Sequence, residues 1–320
     1  MTLLFGPKNA KQEEQGDQMT ERAPVRADER PRALCLPGSG CRGAFQIGVV
    51  SRLWKAGERF DLVAGASSGT ISGAVLVAGL ADDGPDMFRS LAKTPILGAR
   101  YLRTDGGPFG MGSIVRSALQ RFVPEERIAA SPSELLVSTT RASHFLKSAI
   151  HSARKRISAG EQSARRAAQD YFSMPSPVHE LGLTSRARVI HSNRDRTDMH
   201  DVIVASCSIP GLYGRLPVLD GEVHIDGGAT DNTLLGELIA RGARDITIVT
   251  PFEGGAISPT LFERERAPRA PTDVRLRILS PCGTIKLRHF DFDPGRIEEA
   301  LSIDVRETIV AEAASDEPPQ

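Results

Sequence analysis

The 320-residue chain is poor in aromatic residues, with Phe, Trp and Tyr together at 5%. That is too little for the stacking platforms on which proteins bind single-stranded nucleic acid. Neither charge is in excess: 40 Lys and Arg stand against 40 Asp and Glu. No global field therefore points to a nucleic-acid partner, and any basic preference has to be local. Cysteine is scarce. Cys35, Cys41, Cys207 and Cys282 form no C-x-x-C pair and no zinc spacing, which excludes a metal framework and fits reduced thiols. No carboxylate cluster resembles a calcium loop, so neither a metal nor another cofactor is expected. The chain opens without a charged-then-apolar signal segment, and no run approaches the roughly twenty apolar residues of a membrane span. These absences lead to the expectation of a cytoplasmic protein that is at most peripheral to a membrane.

The composition that remains is globular, and the length suffices for one large core or two small ones. Residues 1–31 are rich in Gln, Glu, Asp, Arg and Lys and predict a disordered tail. From there the reading is a buried strand at Ala33–Leu36, a glycine loop, and an amphipathic helix from Gly43 to Lys55. A strand at Phe60–Ala64 and a helix at Ser68–Ala78 follow. Alternation this tight predicts a parallel sheet with crossover helices. Strands are read at Leu135–Ser138, Val189–His191, Ile246–Val249 and Leu276–Leu279. Asp220-Gly221 reads as a hairpin turn into Val223–Ile225. Helices are read from Asn232 to Arg241 and from Arg296 to about Ala311, with 253–273 as a Gly- and Pro-rich surface connection.

Gly65-Ala66-Ser67-Ser68-Gly69 matches G-x-S-x-G, directly after an apolar strand and before an Ala/Gly-rich helix. A sharp strand-to-helix turn lifts the middle serine out of the sheet, and crowding at the turn demands glycine on both flanks. The helix N-terminus then points its N–H groups at the serine. This pattern marks Ser67 as a nucleophile.

Upstream, Gly38-Ser39-Gly40-Cys41-Arg42-Gly43 matches G-x-G-x-x-G, the dinucleotide fingerprint. As a nucleotide-binding module the chain would use Asp61 as the ribose acid. Asp61, however, stands at the beginning of its strand, and the serine turn occupies the end. Parallel strands deliver their C-terminal ends to one sheet edge, so the loop and the serine turn become neighbours. A glycine backbone beside a nucleophile supplies an oxyanion hole. Arg42 has two readings, holding the loop or orienting an anionic group.

A serine hydroxyl needs a base. None of the seven histidines (His144, His151, His179, His191, His200, His224, His289) has a diagnostic flank. A Ser–acid–His order would end on His289, but the HGGG-type loop of that fold is missing. Asp226-Gly227-Gly228, after an apolar strand end, is the stronger candidate.

The glycine loop with its Arg, the Ser67 elbow, the stretch Ala205-Ser206-Cys207-Ser208-Ile209-Pro210-Gly211-Leu212-Tyr213 and Asp226-Gly227-Gly228 occur in this order. Together they resemble the patatin-like phospholipase family over roughly 33–93 and 185–250. The resemblance implies a three-layer α/β/α fold with a mainly parallel sheet, built as one hydrolase domain over 32–320. It implies a Ser67–Asp226 dyad without histidine and an oxyanion loop formed by Gly38, Ser39, Gly40, Cys41, Arg42 and Gly43. Gly65, Gly69, Gly227 and Gly228 would support the elbow and the loop. Pro37-Gly38-Ser39-Gly40 departs from the family's longer glycine run. The implied activity is hydrolysis of phospholipid or lysophospholipid acyl esters. A small-ester or acyl-thioester hydrolase is the alternative within enzymes, and the nucleotide-binding module is the alternative outside them.

Residues 141–178 interrupt the α/β alternation and read as a helical basic insertion or lid. They carry Arg141, Lys147, Arg154, Lys155, Arg156, Arg165 and Arg166 against Glu161 and Asp170. Phe145, Leu146, Ala149, Ile150, Ala153 and Ile157 recur near helical spacing, a pattern suited to peripheral contact with an anionic membrane or to covering an acyl groove.

Overall fold

The computed structural model describes residues 30–145, 184–271 and 273–310. Among them, strands β1 (Arg32–Leu36) and β2 (Leu62–Gly65) are linked by helix α1 (Gly43–Lys55). Helices α2 (Ser68–Val77), α3 (Gly84–Ala92) and α4 (Met111–Phe122) then lead to β3 (Glu134–Arg141). Beyond the insertion come β4 (Arg188–Ser192), α5 (Met199–Ser206), the hairpin β5 (Val218–Leu219) and β6 (Glu222–Asp226), and α6 (Leu235–Ala240). The chain closes with β7 (Asp245–Val249), β8 (Arg275–Pro281), α7 (Pro294–Ser302) and β9 (Val305–Val310).

Strands β3, β2, β1, β7 and β8 run parallel in that spatial order. Central strands of such a sheet are buried on both faces, which is why they read as short apolar runs without alternation. Leu34, Leu36, Val63, Leu135 and Val137 join α1, α2, α3 and α4 in one core. Ala33, Cys35, Leu62, Ala64, Leu136, Ile246 and Ile248 face a second, smaller core under α6. The result is the parallel sheet with crossover helices that the alternation predicts, in the three-layer α/β/α arrangement that the resemblance implies.

Strand pairing brings two chain ends together. Leu136 pairs with Ala64 of β2 and with Ser192 of β4, so those strands flank β3 on opposite sides. Thr139 pairs with Val189 of β4 and with Asp226 of β6. Strand β6 therefore lies on the β2 side of β3, running antiparallel toward the C-terminal end of β2. It stops at Asp226, level with the turn that follows Gly65.

Two sequence expectations change. The final helix ends at Ser302, and Val305–Val310 form an antiparallel edge strand on β8. Val305, Thr308, Ile309 and Val310 are β-branched and favour extended backbone, and β8 offers an unpaired edge. Helix α6 starts at Leu235, after Leu234 in left-handed backbone (φ 52°), so Asn232 lies in the preceding turn. Arg141 belongs to β3 and pairs with Glu222. Phe145 stacks on Phe262 with ring centroids 5.7 Å apart. Of residues 141–178, read as a basic insertion or lid, 146–178 lie outside the described residues, as does nearly all of the N-terminal tail. No helix among the described residues is long and apolar enough to cross a membrane.

Candidate active site

The turn between β2 and α2 is as crowded as its glycines imply. A Cβ on Gly65 would lie 2.8 Å from the Gly69 carbonyl carbon, and one on Gly69 only 1.9 Å from the Leu36 carbonyl oxygen. Between them Ser67 adopts φ 50° and ψ −130°, a sparsely populated backbone state for a side-chain-bearing residue. Surrounding contacts hold it there. Ser67 N–H donates to Ser206 Oγ at 2.9 Å, and Thr70 Oγ1 donates to the Ser67 carbonyl at 2.6 Å.

The glycine loop packs directly against this serine, since a Cβ on Gly38 would meet Ser67 Cβ at 2.7 Å. Most of its amides already have acceptors. Gly38 N–H donates to Asn232 Oδ1 (2.9 Å) and Ser39 N–H to Ser68 Oγ (3.1 Å). Cys41 N–H donates to the His289 carbonyl (2.8 Å) and Arg42 N–H to that of Ser39 (3.3 Å). Gly43 N–H turns back onto carbonyls of the same loop. Among the described residues this network leaves over the Gly40 N–H and, at the elbow, the Ser68 N–H. Gly40 has φ +58°, and a Cβ there would lie 2.4 Å from the His289 oxygen, so the position requires glycine. Arg42 ties the loop to its neighbours. Its Nε donates to the Leu287 carbonyl at 2.9 Å, and its guanidinium lies over the Phe252 ring at 5.6 Å.

Asp226 is buried at the end of β6, 2% exposed. Its N–H donates to the Ser208 carbonyl at 2.9 Å, and its Oδ1 accepts from Gly228 N–H at 2.8 Å. The other carboxylate oxygen, Oδ2, is buried without a partner at full hydrogen-bond geometry. Burial pushes the Asp226 carboxyl up to about 7. The approaching Ser67 hydroxyl and the Gly228 N–H act in the opposite direction and do not cancel it. Gly227 is demanded by packing, since its Cβ would fall 2.0 Å from the Ser138 oxygen. The Ala205–Tyr213 stretch therefore serves both sides of the site, through the Ser206 hydroxyl under Ser67 and the Ser208 carbonyl under Asp226.

Ser67 stands where two spaces meet. One is a narrow apolar slot, partly open to solvent. Phe88, Leu91, Met111, Ile114, Val115 and Leu212 form much of its wall. The other is a wider cleft of mixed lining, where Arg288, Arg296 and Asp291 stand beside Ile209, Leu261 and Phe290, with Ser67 at its edge. His289 borders both spaces. Its ring makes no hydrogen bond to Ser67, and burial with the nearby Arg42 holds it below the usual histidine range. Asp61 is far from the loop's working edge, where its carboxylate accepts from Arg32 N–H at 2.8 Å. No group of three or more His, Cys, Asp or Glu suited to a metal occurs among the described residues.

Sequence reasoning brought Ser67, Asp226 and the glycine loop to one place. It missed Asn232, and it missed the slot's walls on α3 and α4. The wall residues carry a signal of their own: Met111, Ile114, Val115, Ala118 and Leu119 follow the helical i, i+3, i+4, i+7, i+8 spacing.

A family model described as "Patatin-like phospholipase" matches residues 34–239. Among solved structures, VipD from Legionella pneumophila aligns at 14% identity with a TM-score of 0.35, covering 69% of this chain and 50% of that one. The chain thus spans about half the length of that protein. No curated protein matches the chain.

Proposed function

The chain belongs to the patatin-like phospholipase family, and from that premise we propose that it hydrolyses the acyl esters of phospholipids or lysophospholipids through a Ser67–Asp226 dyad. One observation carries the reading. The strained Ser67 hydroxyl faces a buried, half-unpaired carboxyl held near neutral proton affinity, at the mouth of an apolar slot. A carboxylate of that proton affinity is matched to general-base work at neutral pH.

The geometry supports the following sequence of events. Asp226 Oδ2 takes the proton from Ser67 Oγ as the oxygen attacks the ester carbonyl. Charge developing on the carbonyl oxygen is held by the two amides left over among the described residues, Gly40 N–H and Ser68 N–H, the latter at the N-terminus of α2. Collapse of the tetrahedral intermediate breaks the bond to the alcohol, which leaves with the proton from Asp226. Water then attacks the acyl-enzyme, giving up its proton to Asp226, which returns it to Ser67 Oγ as the fatty acid leaves. The acyl chain lies in the slot and the headgroup among the charged side chains of the wider cleft, which favours a lipid over a small ester.

The test is hydrolysis of a chain-length series of acyl esters by the purified chain, beside Ser67→Ala. Turnover that rises with chain length and vanishes in the variant is the expected result. Equal or better turnover of acetyl esters would move the reading to a small-ester hydrolase. Saturable nucleotide binding without Ser67-dependent turnover would end the hydrolase reading.

A further inference from the structure

Asn232 is fully buried, and its whole side-chain amide is engaged. Oδ1 accepts from Gly38 N–H at 2.9 Å, while Nδ2 donates to the Gly38 carbonyl at 3.2 Å and to the Ser258 carbonyl at 3.0 Å. One planar amide thus grips both the donor and the acceptor of a single residue. The same oxygen would lie 2.7 Å from a Cβ on Gly228, which in turn would lie 3.2 Å from Asp226 Oδ1. Asn232 therefore sits between the glycine loop and the Asp226 turn, touching both. Its own backbone is fixed. Asn232 N–H donates to the Pro259 carbonyl at 2.8 Å, and the adjoining Asp231 accepts from Thr233 and Leu234 N–H and pairs with Arg188 at 2.5 Å.

Gly38 is the part of the loop that lies against Ser67, two residues before the uncommitted Gly40 N–H. A glycine without restraint would let this peptide rotate, and rotation would swing the Gly40 amide away from the attacked carbonyl. We propose that Asn232 is a positioning residue: by clamping both polar groups of Gly38 it aims the Gly40 N–H at the oxyanion and sets the loop's register against Asp226. The assignment rests on the Ser67–Asp226 reading. Its effect belongs to the transition state, because a misaimed amide weakens stabilisation of the oxyanion more than binding of the ester.

The deciding experiment compares wild type, Asn232→Ala and Asn232→Asp, with Ser67→Ala as the blank. It measures kcat and KM on a long-chain ester and the inhibition constant of an acyl trifluoromethyl ketone, which places an oxyanion in the hole. For Asn232→Ala, kcat is expected to fall about tenfold or more, up to the roughly hundred- to thousandfold of losing an oxyanion donor outright. The ketone's inhibition constant should rise in parallel while KM stays within about threefold. Changes in kcat and inhibition constant no larger than the change in KM would overturn the assignment and leave Asn232 a satisfied core residue. Should Asn232→Ala fail to fold, Asn232→Asp decides, because it keeps the shape. Its protonated carboxyl retains one acceptor and one donor and loses the donor as it ionises. Its kcat relative to wild type is then expected to fall with rising pH, and a ratio independent of pH would overturn the assignment. Absence of Ser67-dependent turnover in wild type would be seen against the blank, and it overturns the dyad reading together with this one.

Discussion

A carboxyl whose proton affinity is set by burial has a function only if the enzyme needs its ionised form. Asp226 is held at about 7 chiefly by desolvation, so in the proposed mechanism kcat/KM falls about tenfold per pH unit below that value and levels above it. Asp226→Asn keeps the acceptor for Gly228 N–H and removes the base. It is expected to abolish turnover at every pH with the fold intact, which circular dichroism beside the ester assay checks. His289 supplies the control for a histidine base. Its contribution to the loop is a backbone carbonyl, so His289→Ala is expected to keep both Ser67-dependent turnover and the acid limb near pH 7. Loss of that limb in His289→Ala, with Asp226→Asn still active, would transfer the base to the histidine.

At the scale of elements, legibility follows burial and glycine. Strands β1, β2, β3, β7 and β8 announce themselves as short apolar runs because both their faces are covered. The elbow announces itself because Gly65 and Gly69 have no room for a Cβ. The arrival of Asp226 was harder to read. Parallel strand ends place the loop beside Ser67, but β6 runs antiparallel, and only its pairing with Thr139 brings it head-on to the end of β2. Asn232 read as the start of a helix because its partner Gly38 is 194 residues away in sequence. The C-terminal strand reads as helix in the sequence because an edge strand's pairing depends on β8 and not on local spacing. The walls of the slot come from α3 and α4, whose apolar faces meet over Ser67. Ile114 on α4 is buried and lines the slot. Ile114→Trp is expected to shorten the usable space, lowering kcat/KM for dodecanoyl esters by about tenfold or more while sparing butyryl esters. Equal losses on both esters would place the acyl chain elsewhere.

For the whole molecule, the same groups impose a pH dependence on stability. Asp226 binds a proton more tightly folded, at about 7, than an ordinary aspartate near 3.9. The stability attached to its neutral form is therefore complete below that ordinary value and is lost as pH rises through about 7. The loss is of the order of 4 kcal/mol. A buried cluster on the neighbouring strands acts in the opposite sense. Thr139 Oγ1 joins His191 Nε2 (2.8 Å) and His224 Nδ1 (2.9 Å). Burial depresses both histidines, His191 to about 4. Their neutral forms favour the fold above an ordinary histidine value of about 6.5, and that contribution is lost as pH falls toward 4. Between about 4 and 6.5 the two effects oppose each other. Asp226→Asn removes one of them. The variant is expected to be more stable than wild type above pH 7, with the difference shrinking to a constant offset by pH 4. Urea unfolding of both proteins across that range isolates Asp226, because every other titrating group is common to the pair. A difference that does not vary with pH would mean that Asp226 titrates alike in the folded and unfolded chain. Its fitness as a base at neutral pH would then lose its physical ground.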